Sequence, residues 1–108
     1  MYAGVDFSVT PRPHYPADGR KVFDVYTEPL ALHDPLVKDL GPFPFFSFWG
    51  PASGIASSEW IAACAKWTAE KHAPTLQLVY LPHLDYDLQR FGPHGASIPQ
   101  ALRAIDAV

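Results

Sequence analysis

LQLVYLPHLDYDLQRFGPHG, residues 76–95, is the stretch on which the fold turns. An apolar run of strand length leads into Pro82, His83 and the carboxylates Asp85 and Asp87, and a Phe-Gly-Pro turn follows. From Thr75 to Pro82 the run is nearly continuous in apolar character, which predicts a strand covered on both faces by helices. Just upstream, SSEWIAACAKWTAEKH (57–72) predicts a helix with Ser57 as its cap. Trp60, Ile61, Cys64, Trp67 and Thr68 make one apolar stripe along it, and Pro74 closes it. Cys64 falls inside that stripe and reads as a small buried hydrophobe rather than a catalytic thiol.

Further upstream, FPFFSFWGP (43–51) places four phenylalanines and Trp49 in a short run, predicting a second buried strand. Strand, helix, strand at this spacing is a right-handed βαβ unit. The expected class is therefore α/β, a partly parallel sheet with flanking helices spanning 43–108. In HDPLVKDLGPF (33–43), Asp34 is the expected cap of a short helix, Pro35 its first residue and Gly41-Pro42 its stop, with a start as early as Pro29. KVFDVYTEP (21–29) predicts a short strand. Residues 1–20, rich in proline and without either period, predict an extended loop. ASIPQALRAIDAV (96–108) predicts a last helix with a Ser97/Gln100 capping box and a stripe of Ile98, Leu102 and Ile105. It carries no stop signal before Val108, so the chain reads as a single domain, or as an interior piece cut through an element.

Bulk properties exclude several classes. At 108 residues the chain suits one domain. Its formal net charge is -3, and the basic residues Arg12, Arg20 and Lys21 are too dispersed for a nucleic-acid surface. No apolar run approaches the roughly 20 residues that span a bilayer. One cysteine and no leader-like segment point to a cytoplasmic setting.

If 75–82 is a strand of a parallel sheet, Asp85 lies at its carboxyl end, where such sheets place their ligand chemistry. Asp85, Asp87, His83 and Gln89 together supply hard oxygen and imidazole groups suited to a divalent metal. The same residues also fit a plain structural reading, in which Asp85 forms an Asx turn, His83 ends a strand and Asp87 is solvated.

VYLPHLDYDLQRFGP (79–93), followed by the helix of IPQALRAIDAV, resembles the type I phosphodiesterase and nucleotide pyrophosphatase branch of the alkaline phosphatase superfamily. That branch carries a strand, an aspartate, three residues, a histidine, then an aromatic-Gly-Pro. VDFSVTPRPHYPADGRK (5–21) is similar to a stretch in bacterial members of the branch, so the resemblance spans the chain. It implies hydrolysis of phosphodiester or nucleotide pyrophosphate bonds at two metal ions, zinc first and manganese second, with a threonine or serine nucleophile. Asp85 matches the aspartate ligand. Gln89 stands where the branch has histidine, and an amide oxygen is a poor zinc ligand beside imidazole. His83 and His94 are substitutes without motif support. Ser8, Thr10 and Thr27 lack the aspartate and helix start that a nucleophile needs, and Thr27 reads as a helix cap.

Two expectations follow. In the first, the chain is part of a metal-dependent hydrolase, contributes Asp85 and is inactive alone. In the second, it is a non-catalytic assembly module that uses the aromatic run and the helix stripe as an interface, with sheet edges open to a second copy. The residues at 108 or fewer do not identify the substrate.

Overall fold

Prolines shape the first element. Pro11 has no N–H to give to a ladder and ends strand β1 (Ser8–Pro11), which pairs antiparallel with β2 (Val25–Glu28), Ser8 opposite Glu28 and Pro11 opposite Val25. His14 and Val22 then exchange two backbone hydrogen bonds of 2.8 and 2.9 Å, carrying the hairpin beyond its strands. The tip turns at Gly19 (φ 81°), where Asp18 Oδ1 accepts the Arg20 N–H and Asp18 Oδ2 meets Arg20 Nε at 2.7 Å. The loop expected over residues 1–20 thus contains a strand. Its two-proline spacing hid a period of 2 too short to see. The computed structural model describes residues 4–108, so Met1–Ala3 of that expectation lie outside the described residues.

The described residues fall into two units, divided after Phe43. In the first, a 3-10 turn (Leu30–Leu32) runs into helix α1 (His33–Leu40). Asp34 is inside the first turn rather than a cap, because the preceding turn already supplies helical backbone up to Leu32. Gly41 ends the helix at φ 75°, its N–H on the Val37 carbonyl at 2.9 Å. Val25 and Thr27 point from β2 into a core with Leu32, Leu36 and Phe43. Thr27 is therefore a strand residue, and its hydroxyl donates to the Leu30 carbonyl at 3.5 Å instead of capping a helix.

The second unit is helical. Pro44 precedes a 3-10 turn (Phe45–Ser47), so the aromatic run is not a strand. Pro44 and Pro51 deprive it of donors that a central strand requires. Phe45 is buried, whereas Phe46 is 79% exposed. Helix α2 (Ile55–His72) is capped at Gly54, three residues before the expected Ser57 cap. Of its predicted stripe, Trp60, Cys64, Trp67 and Thr68 are buried and Ile61 is half-buried. Burial pushes the Cys64 thiol up to about 11, which removes it as a nucleophile.

After Pro74 comes the largest departure. Residues 76–81 form no ladder among the described residues, and Leu76, Leu78 and Tyr80 face outward. Among those residues the sheet is the two-stranded antiparallel β1–β2 pair, so the mixed helix and strand class stands and the partly parallel βαβ arrangement does not. An apolar run has the capacity to pair, but a strand needs a partner, and residues 43–51 do not supply one. Helix α3 (His83–Phe91) follows, ended by Gly92, and α4 (Ile98–Asp106) packs against it. In the turn between them a Cβ at Gly95 would lie 2.7 Å from Phe91 Cβ, so the turn folds tightly back on the end of α3. The Ser97/Gln100 capping box does not form: the Ser97 carbonyl, not its hydroxyl, receives the Gln100 and Ala101 N–H groups. On α4 the buried position is Ala101, while Leu102 is half exposed.

Candidate functional site

Asp85 belongs to the first turn of α3, not to a strand exit. Pro82 opens the helix, the Asp85 N–H reaches the Pro82 carbonyl at 3.0 Å, and a carboxylate near a helix N-terminus is favoured by the exposed N–H groups there. Gln89 is one turn on, at i+4, so it shares the face of Asp85. Both line a concavity of about 440 Å³ together with Trp49, Ser53, Tyr80, Tyr86 and Arg90.

Tyr80 donates its hydroxyl to Asp85 Oδ2. That bond to a carboxylate, with smaller contributions from burial and from the charge of Asp85, holds the phenol above its ordinary value. At neutral pH Tyr80 thus keeps its proton and donates it to one of the two oxygens of Asp85.

The opposite wall is the 48–54 loop, and α3 holds it. Arg90 Nη2 donates toward the carbonyls of Gly50, Pro51 and Ser53 at 3.2–3.4 Å and toward Ser53 Oγ. Its Nη1 lies 3.6 Å from Asp87, and its guanidinium lies 6.0 Å from the Tyr86 ring centre. Tyr86 donates its hydroxyl to the Phe48 carbonyl at 3.1 Å and meets Ser57 Oγ at 3.2 Å. Ser58 Oγ accepts the His83 N–H at 3.2 Å. Ser57 and Ser58, fully buried in α2, therefore seat the start of α3.

One measurable consequence concerns Tyr86. Tyr86→Phe removes the hydroxyl that bonds the Phe48 carbonyl and meets Ser57, at an expected cost of about 0.5–1.5 kcal/mol to the second unit. Urea unfolding followed by tryptophan fluorescence measures it, since Trp49, Trp60 and Trp67 all belong to this unit. An unchanged midpoint would remove Tyr86 as the link between α3 and the loop.

The structure thus gathers Asp85 and Gln89 but separates the other expected ligands. His83 and Asp87 each lie two positions from Asp85, roughly 200° around the helix, and face elsewhere. The His83 ring stands edge-on to Tyr86, its Nδ1 buried without a partner, and Asp87 is taken up by Arg90. His94 is an exposed residue in the turn after Gly92 and does not line the concavity. Among the described residues, no three His, Cys, Asp or Glu side chains are placed to hold a metal ion. Asp85 and Gln89 offer one carboxylate and one amide oxygen, fewer ligands than a divalent ion takes, so they fit part of a metal site and not a whole one. Trp49, Ser53, Tyr80, Tyr86 and Arg90 were not foreseen as neighbours of Asp85. Only Tyr86, adjacent on the helix, carried any local signal.

A family model described as type I phosphodiesterase / nucleotide pyrophosphatase matches residues 1–108, the full length. No curated protein and no solved structure matches.

Proposed function

Because the chain belongs to the type I phosphodiesterase/nucleotide pyrophosphatase family, we propose that it forms part of a metal-dependent hydrolase of phosphodiester or nucleotide pyrophosphate bonds, with Asp85 as one metal ligand. The observation that carries this reading is the seating of Asp85: a concavity, a helix N-terminus behind it, and a tyrosine that engages one of its two oxygens. A divalent ion bound there, zinc first and manganese second, supplies charge neutralisation at the phosphoryl oxygens. The chain's own residues do the rest. Tyr80 restricts the Asp85 carboxylate to one orientation, and Arg90 fixes the loop that forms the far wall. Hydrogen-bonded carboxylate ligands of this kind gain affinity from such support.

The remaining ligands and the nucleophile are assigned to residues beyond these 108. Ser53, the candidate hydroxyl in the concavity, donates to the Gly50 carbonyl at 2.8 Å and faces the Arg90 guanidinium, so no base takes its proton. The chain alone is therefore a half-site without turnover. No helix among the described residues is long and apolar enough to cross a membrane.

The test is metal content after chelator-free purification, wild type beside Asp85→Ala, with a phosphodiester test substrate assayed on both. Zinc or manganese retained by the wild type and lost in Asp85→Ala, with turnover at background, is the expected result. Turnover that survives metal stripping, or equal metal in both proteins, rejects the reading.

A second reading, an assembly module, draws on Leu76, Leu78 and Phe46, which are 76%, 87% and 79% exposed. The stripe of α2 does not contribute to it, since that stripe is buried within its own unit. Self-association that rises with concentration and disappears in Leu78→Asp would favour this alternative.

A further inference from the structure

His33, the first residue of α1, has both ring nitrogens committed. Nε2 lies 2.8 Å from Asp24 Oδ1, and Nδ1 lies 2.8 Å from Asp34 Oδ1. An ionised carboxylate only accepts, so each nitrogen must donate to make its bond. Neutral imidazole carries one N–H and serves one carboxylate. Only the imidazolium serves both.

We propose that His33 is a pH-operated latch which, while protonated, ties the approach to β2 to the start of α1. Asp24 immediately precedes β2, and the oxygen that meets His33 also accepts the Val25 N–H at 2.8 Å. Val25 is a core residue, 2% exposed, so the latch acts on the buried strand itself. The Asp24 carbonyl accepts the Arg12 N–H at 3.3 Å, which brings the residue after β1 to the same point. The His33 proton thereby bridges α1 to Asp24, the residue at which β2 and the residue after β1 also meet. Its departure removes one of the two bridging bonds and turns the other from an ion pair into a weaker hydrogen bond.

The charged groups facing His33 are Asp24 from the hairpin and Asp34 from α1, and His14 of the hairpin acts electrostatically on Asp24. The bonds to Asp24 and then Asp34 hold His33 above the ordinary imidazole value of 6.5, against the opposing effect of burial. Burial pushes Asp24 up, but the bonds from His33 and Val25, with the charges of His33 and His14, bring it below the ordinary 3.8. A raised histidine stabilises fully below 6.5, and that contribution is lost as pH rises through its folded value. A lowered aspartate contributes above 3.8 and loses its contribution as pH falls through its folded value. The latch is thus closed between these two ordinary values and opens on the alkaline side.

The experiment is imidazole nitrogen NMR on the whole chain, titrated from about pH 5 to about pH 9, with the Val25 amide followed in the same samples. The expected result is a His33 midpoint above 6.5, tracked by the Val25 amide. Asp34→Asn lowers that midpoint, and Asp34 is 96% exposed, so this variant keeps its fold. Asp24→Asn lowers it and also uncouples Val25. A wild-type midpoint at or below 6.5, or a Val25 amide indifferent to it, overturns the latch even if Asp24→Asn fails to fold.

Discussion

Trp67→Ala is expected to destabilise the second unit by about 3–5 kcal/mol, the usual cost of truncating a buried tryptophan. Trp67 is 8% exposed on the inner stripe of α2, with Trp60, Cys64 and Thr68. The Lys71 ammonium lies 4.5 Å from its ring centre and the His72 ring 5.8 Å away, so the indole also organises the last turn of the helix. A domain is typically stable by only about 5–15 kcal/mol, so the loss takes about a fifth or more of that margin. Consequences extend to the site. The same helix carries Ser57 and Ser58, which seat α3 and hence Asp85. The remaining fluorescence of Trp49 and Trp60 provides the unfolding curve in urea. A change below about 1 kcal/mol, the scale of an average point mutation, would mean that the α2 stripe is not the core of this unit.

Leu36→Ala is expected to cost the first unit about 2–5 kcal/mol. Leu36 is the most completely buried apolar side chain of that unit, at 0% exposure, on the face of α1 that packs against β2. A unit resting on one short helix and one hairpin has few other apolar groups to close the cavity, which places the cost toward the upper end. This unit has no tryptophan, so amide hydrogen exchange across Val25–Glu28 is the suitable measurement. The expected outcome is protection of β2 falling to near that of an open chain. Full protection in the variant would show that the hairpin stands without α1.

Some of this architecture was plain in the residues. The apolar stripe of α2 follows from its spacing, the end of α1 from Gly41-Pro42, and the last helix from IPQALRAID. Where reading failed, two local signals competed. For 83–91, Pro82 at the start, acidic residues in the first turns and Gly92 at the end all favour a helix. The apolar run before them read as a strand, and that reading carried Asp85 to a strand exit. For 43–51, aromatic propensity outweighed Pro44 and Pro51, which argue against a central strand. Of the hairpin, β2 falls within the short strand expected over 21–29, whereas β1 went unseen because its four residues are too few to display a period.

The sequence by itself determined the family, the one-turn spacing that sets Asp85 and Gln89 on one face of a helix, and the helices marked by glycine and proline. These rest on backbone dihedrals and on neighbours three or four positions apart, which a linear chain states directly. Only the tertiary structure decided that Tyr80 engages Asp85, that Arg90 closes on a loop up to 40 residues away, and that two buried serines hold α3 in place. It alone also separated His83 and Asp87 from Asp85. Such meetings depend on how helices pack and which faces they bury, and no local period relates the residues that packing brings together.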